Sequence, residues 1–468
     1  MRNKKFTLTS SLVVFLGMTA IISVGLLVLK INTLAVFILS TLWISVMGCI
    51  KGFSPKEVED FFILGIKTSA PVIAILVAVG LMIGTWITSG VIPSIIYYGL
   101  KLIRPDLFLL VTFLVCSISS VFVGSSYSSI ATMGVAFIGI GMGLGVNPAM
   151  TAGAAVSGAV FGDKMSPFSD TTNLAPALSG TDLFSHIKAM LWTSGPAFLI
   201  CCVLYFILGT KVIAGGETDL SQVEEISAAL MTNFNISPIL LLLPVLTIFL
   251  AIIKVSPVTA LVIGAVSALL FGVVLQNGHI TLNQLVLSLA SGYSGDSGIA
   301  QVDKLLNRGG VSSMMGTVAT TMFCLCMGEM MQQLGVLRAI VGTIERFANS
   351  ARKIVVSTLG CTLLTNMITG SQYMSLVLPG ELFAGIYKKA GIQPYVLSRT
   401  LEDGGTVLNF IVPWAAGAVY AGGVLGLAPI EYVPWCFFPM LSPLIALIYG
   451  ITGFAIFKIP EEKKEEIS

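Results

Sequence analysis

Two carboxylates and a lysine stand in the run Gly162-Asp163-Lys164-Met165-Ser166-Pro167-Phe168-Ser169-Asp170-Thr171-Thr172-Asn173, which closes a tract with no charged residue between Asp106 and Asp163. Charge near hydrocarbon costs several kcal/mol unless it is paired, solvated or turned toward a cavity, so ionisable residues placed there point to function. The chemistry on offer is cation exchange. Asp163, Asp170, Thr171, Thr172 and Asn173 carry the carboxylate, hydroxyl and amide oxygens that hard monovalent cations favour. A proton competes with a cation for the same carboxylate, so binding one expels the other.

Such residues need a broken helix to hold them. Pro167 has no amide hydrogen, and the neighbouring Ser, Thr and Asn side chains compete for backbone hydrogen bonds, so a helix arriving through Val156 to Phe161 is predicted to unwind here. At membrane depth, broken helices survive only where they line a cavity. A second break is expected at Gly124-Ser125-Ser126-Tyr127-Ser128-Ser129. Its hydroxyls and freed carbonyls either meet a small ion or solute or serve as a small-residue contact between helices.

Self-comparison doubles both features. Shifted by 246 residues, the Gly124 motif falls on Gly370-Ser371-Gln372-Tyr373-Met374-Ser375, and the match continues ungapped through Gly158/Gly404 and Pro167/Pro413. An earlier echo aligns Gly90-Val91 with Gly335-Val336 after one inserted residue. Transporters are commonly built from two related halves with the site between them. The division read here is an N-terminal membrane half, 1–210, a polar connector, 211–235, and a C-terminal membrane half, 236–468. Charge does not decide whether the halves are parallel or inverted, since the loops near Arg104 and Arg352 are both basic. The connector carries Glu217, Asp219, Glu224 and Glu225, and 296–308 reads as a second solvated loop.

The counterpart of the Gly162 run is Arg399 to Trp414, where Asn409 falls on Asp163 and Asp403 and Thr406 add further oxygens. The candidate ion ligands are therefore Asp163, Asp170, Thr171, Thr172, Asn173, Asp403, Thr406 and Asn409. Candidate solute contacts are Ser125, Tyr127, Ser371 and Tyr373, with Arg399 offering a planar fork for a carboxylate. Arg399, Glu402 and Asp403 also read as a structural ion-pair cluster. Lys164 reads either as the counter-ion of Asp163 or as a snorkelling end residue. Glu329 and Glu381, inside apolar stretches, are candidate proton carriers, and His186 and His279 are expected at the membrane interface.

Composition sets the class. Of 468 residues, 55% are hydrophobic and 10% charged, against about 25% charged in an ordinary soluble domain. Repeated charge-free windows, among them Lys5 to Lys30 and Lys67 to Lys101, predict an all-α polytopic membrane protein with about ten to thirteen hydrophobic segments. Arg2, Lys4 and Lys5 before the first segment and Lys51, Lys56 and Lys67 after the second place the N-terminus in the cytoplasm. A net charge of +2 from scattered basic residues excludes a nucleic-acid partner. Eight cysteines lack zinc or redox spacing, and no nucleotide fingerprint, nucleophile set or cofactor motif appears, which excludes an enzyme and implies no cofactor. A channel would need a continuous selective pore, whereas duplicated broken helices favour alternating access. A homo-oligomer is left open.

The run Gly162 to Pro167 followed by Ser169 to Asn173 resembles the signature of the NhaC family of bacterial sodium/proton antiporters, and the whole chain is similar in length and hydropathy. The resemblance implies inverted halves and sodium/proton exchange across the bacterial cytoplasmic membrane. In some members it implies coupling to small carboxylates, malate entering with protons against lactate leaving with sodium. Plain sodium/proton antiport and antiport of another organic solute remain the alternatives.

Overall fold

Helices start and stop where the sequence supplies caps. The computed structural model describes residues 6–214, 220–344 and 347–459. Thr7 and Ser10 form a capping box that opens α1 (Leu8–Ser23), and the Asn32 side chain caps α2 (Thr33–Lys51). Ser54, Pro55 and Glu57 open α3 (Pro55–Thr88), the longest helix. Next come α4 (Val91–Leu102), α5 (Phe108–Val123), the short α6 (Ser126–Ser129), α7 (Val135–Gly143), α8 (Pro148–Met165), α9 (Asp170–Ser179) and α10 (Leu183–Ala214). A π-helical turn joins α6 to α7. The middle of the chain forms α11 (Leu220–Asn233), α12 (Leu242–Ile252), α13 (Pro257–Leu275), α14 (Leu282–Ser291) and α15 (Ala300–Leu306). The C-terminal half contains α16 (Gly310–Gln333), α17 (Val336–Ile344), α18 (Ala351–Thr369), α19 (Gln372–Lys389), α20 (Pro394–Leu401), α21 (Ala416–Leu425), α22 (Pro429–Tyr432) and α23 (Phe437–Thr452).

The chain is an all-α polytopic membrane protein. Among the described residues, eight helices are long and apolar enough to span a bilayer, ten if two sharply bent pairs each count as one, and three shorter apolar helices accompany them. Large apolar side chains such as Val28, Leu199, Leu270 and Val274 point outward, as lipid-facing surfaces do.

The 246-residue shift reappears in the helix bounds. The pair α6–α7 begins at Ser126 and ends at Gly143, and α19 runs from Gln372 to Lys389; α9 and α21 correspond end for end. Helices α3 and α16 pack antiparallel: Gly65 abuts Cys326, while Gly80 and Gly84, further along α3, abut Gly310 at the start of α16.

Parts of the sequence reading take a different form here. Within 211–235, α11 is helical and buries Ile226 and Leu230, and Phe234 is buried just past its end. Glu217 and Asp219 lie outside the described residues, as do Arg2, Lys4 and Lys5. The stretch 296–308 is not a slack loop: it holds the helix α15, and Asn307 just past that helix exchanges hydrogen bonds of 2.8 Å with the Gly295 backbone.

Glycines set the spacing of the helices. A Cβ at Gly158 on α8 would press on the Phe113 carbonyl of α5, and one at Gly162 on the Ser117 carbonyl. Gly158→Ala is expected to cost about 1–3 kcal/mol by overpacking, read as a lower unfolding midpoint in detergent. Gly195→Ala, where no atom lies within 4 Å, is the control and should leave the midpoint in place. Equal midpoints for both variants would refute the close α5–α8 approach.

Candidate functional site

The break at Gly124, the first of a pair, and the second at its counterpart Gly370 both form, by the same local chemistry. Gly124 ends α5 at φ 68°, Ser125 then caps α6, and Gly370 ends α18 at φ 62° before Ser371 caps α19. Glycine is required at these turns because the left-handed region is costly for other residues. Close approach adds a second reason at Gly124, since a Cβ there would reach the Phe168 backbone at 2.7 Å. The first turn therefore packs directly on the loop after α8.

That loop unwinds as its residues demand. Helix α8 stops at Met165 and α9 begins at Asp170. Ser166 Oγ donates to the Val121 carbonyl at 2.6 Å, and Thr172 Oγ1 reaches the carbonyls of Asp163 and Lys164 at 3.2 and 3.1 Å. Asn173 Nδ2 donates to Pro167 and Ser169 carbonyls at 3.0 and 2.7 Å. Thr172 and Asn173 thus hold the loop's backbone.

Asp163 is 5% exposed and accepts a 2.7 Å hydrogen bond from Ser126 Oγ, which ties the end of α8 to the first break. Asp170 is exposed, and Tyr373 Oη of the other half stands 3.5 Å from its Oδ2. A cavity of about 920 Å³ joins these groups. Its wall includes Ser125 and Tyr127 from the first break, Ser371 and Tyr373 from the second, and Asp163, Asp170, Thr171 and Asn173 from the loop. Tyr127 is locked across the halves, its ring 4.5 Å from Tyr420, whose hydroxyl donates to the Tyr127 carbonyl at 2.9 Å.

Other candidates lie elsewhere. Thr172, Arg399, Asp403, Thr406 and Asn409 do not line the cavity. Asn409 is fully engaged: its Nδ2 donates to Asn366 Oδ1 at 2.8 Å and to the Gly370 carbonyl at 3.0 Å, while its Oδ1 accepts from Gly417 N at 2.7 Å. It pins the second break. Arg399, 1% exposed, turns away from the cavity to donate to the Ala455 carbonyl at 3.1 Å, just past the end of α23, where a helix terminus favours a cation. Its Nε stands 4.0 Å from Asp403 Oδ2. On this placement Arg399 belongs to the buried ion cluster and does not reach a solute in the cavity.

Lys164 differs from both sequence readings. Neighbouring residues on a helix point about 100° apart, so Lys164 faces away from Asp163 and forms a fully buried ion pair with Asp403 of the other half. Ser442 hydrogen-bonds both partners at 2.9 Å, and Thr193 Oγ1 donates to Asp403 at 2.8 Å. His186 is buried as well, 2.8 Å from Ser398 Oγ, because α10 packs on α20 rather than lying at an interface. Glu329 lines the cavity and accepts from Gln333 at 2.7 Å, whereas Glu381 does not line it.

Sequence reasoning misses two residues. Lys254, at the turn between α12 and α13, lines the cavity with its ammonium 5.9 Å from the Phe168 ring; in the sequence its basic charge at a segment end is indistinguishable from an ordinary flank. Glu402 reads there only as part of an ion-pair cluster. It is fully buried, and neither carboxylate oxygen has a hydrogen-bond partner among the described residues.

A sequence profile described as the Na+/H+ antiporter family matches residues 3–172 and 158–454. The chain is 35% identical to the Na(+)/H(+) antiporter NhaC of Alkalihalophilus pseudofirmus over 97% of this chain and 98% of that protein. It is 38% identical to the malate-2H(+)/Na(+)-lactate antiporter of Bacillus subtilis over 87% and 86% of the two chains. Identity to the arginine/ornithine antiporter ArcD of Halobacterium salinarum is 32% over 96% and 93%.

Proposed function

Because the chain belongs to the Na+/H+ antiporter family, we propose that it exchanges sodium for protons across the bacterial cytoplasmic membrane by alternating access, with its N-terminus in the cytoplasm and no cofactor. The observation that carries this reading is Asp163. It is a buried carboxylate on a broken helix, facing a cavity whose wall is shared by the duplicated breaks of both halves. Sodium and proton competing for that carboxylate give obligatory exchange, since neither can bind while the other is held. Proteoliposomes containing a pH dye test it: an inward sodium gradient should drive protons out, saturably and far below channel rates. Sodium flux without proton movement would overturn the reading.

Coupling to a small carboxylate is a second reading, favoured by Lys254. Its ammonium shares the cavity with the N-terminal ends of α13 and α19, whose residues Pro257 and Gln372 also line the wall. An ammonium and helix N-termini together suit a carboxylate, the group common to malate, lactate, arginine and ornithine. Lys254→Gln is expected to raise the KM for the organic anion about tenfold, the loss of one charge-assisted hydrogen bond. Sodium/proton exchange measured without solute should be unchanged. A KM equal to wild type for malate, lactate and arginine alike would remove Lys254 from the solute site.

A further inference from the structure

The π-helical turn Glu402–Thr406 follows α20 and interrupts the helix at the position equivalent to the interior of α8. Such widened turns shift side chains by a fraction of a helical turn and recur at functional sites. Here the turn carries polar side chains into the protein interior: Glu402 and Asp403 are fully buried and Thr406 is 1% exposed. Both oxygens of Glu402, Oδ2 of Asp403 and Oγ1 of Thr406 lack a hydrogen-bond partner among the described residues. Buried polar atoms are almost always paired, and leaving a carboxylate unpaired is costly. A set of oxygens so disposed suits a group that accepts their lone pairs.

Glu402 is surrounded by the right neighbours. Asp163 and Lys164 of α8 lie close enough to interact with it, as do Thr171 of α9 and Thr406 of its own turn. Thr171 lines the cavity, and its hydroxyl lies 3.1 Å from Ser169 Oγ. Gln372, another cavity residue, donates to the Thr406 carbonyl at 3.4 Å. The orphaned oxygens therefore sit directly behind the cavity wall. Lys164 is committed to Asp403, and Arg399 stands 4.0 Å from the same carboxylate. With Asp163, Glu402 and Asp403 ionised, these two cations leave the cluster one negative charge in excess. A single monovalent cation neutralises it, whereas a divalent ion overshoots.

We propose that Glu402 and Thr406 complete a sodium-binding site with Asp163 and Thr171, the site being assembled across the two halves. This rests on the sodium/proton reading and adds ligands to it. Only oxygen donors take part, carboxylates and hydroxyls, as a small hard cation prefers. Assembly from α8, α9 and the turn after α20 means that a change in how the halves meet opens or closes the site, which is what alternating access requires.

The test is sodium titration of the purified full-length protein in detergent, with choline replacing sodium, read calorimetrically. Wild type should bind sodium saturably and calcium not at all. Glu402→Gln, close in volume, is expected to weaken sodium binding at least about tenfold, and Thr406→Val severalfold, while Thr406→Ser, which keeps the hydroxyl, stays near wild type. Wild-type affinity in both Glu402→Gln and Thr406→Val would overturn the site. If Glu402→Gln does not yield folded protein, the Thr406 pair decides alone: valine equal to serine overturns the proposal, and valine weaker than serine supports it. Absence of sodium binding by wild type would instead bring down the sodium/proton reading on which the site rests.

Discussion

Asp163→Asn should abolish sodium-driven proton movement in proteoliposomes, leaving exchange at least about a hundredfold below wild type. Replacing an ionised ligand by an amide withdraws the charge that repays the cation's dehydration, a loss of about 3 kcal/mol or more in a buried setting. It also removes the group that carries the proton. The fold should survive, because the amide keeps the volume and its oxygen can still accept the Ser126 hydroxyl hydrogen bond. Elution as a monodisperse peak in size exclusion separates a dead transporter from an unfolded one. Asp170→Asn should be milder, since that carboxylate is exposed and meets Tyr373 only at 3.5 Å. Full exchange in Asp163→Asn would end its assignment as the ion-exchanging group.

The largest effect on stability is expected at the ion pair joining the halves. Asp403→Leu takes from the fully buried Lys164 its direct ion-pair partner and leaves Ser442 as its remaining hydrogen-bond partner, a loss costing about 3–5 kcal/mol. The folded yield and the unfolding midpoint should both fall. Lys164→Met alone should be less damaging, because Asp403 retains Thr193, Ser442 and the approach of Arg399. Combining Lys164→Met with Asp403→Leu should recover most of the midpoint lost in Asp403→Leu, as apolar replacement of a buried ion pair commonly does. A double variant no more stable than Asp403→Leu would show that the two residues are not energetically coupled.

Much of the site's scaffold is legible in the sequence. Gly124 and Gly370 are expected to break helices and do so in the left-handed conformation. Pro167, with Ser166 and Thr172, stops α8 close to where unwinding is expected. The echo of Gly90-Val91 in Gly335-Val336 also has a structural counterpart, for both glycines adopt positive φ and both valines start a helix. These are local effects of missing donors, missing Cβ atoms and capping side chains, so adjacent residues suffice to foresee them. Lys164 shows where that reasoning stops. Sequence adjacency to Asp163 makes it a counter-ion candidate, yet its partner lies 239 positions away.

The sequence by itself determined the class of molecule, because mean hydropathy and charge-free windows are properties of composition, and it determined the sites of helix breakage, because those follow from backbone chemistry within a few residues. It also marked Asp163 and Asp170 together as the carboxylates to watch, since charge closing so long an apolar tract is costly wherever the chain goes. Tertiary structure alone decided which polar groups meet. The rotation of α8 sends Asp163 toward Ser126 and Lys164 toward Asp403, the end of α23 draws Arg399 away from the cavity, and the widened turn after α20 buries Glu402 beside Thr171. Those outcomes depend on how helices far apart in sequence are turned about their axes and packed, and hydrophobic pattern constrains that only weakly when nearly every face is apolar.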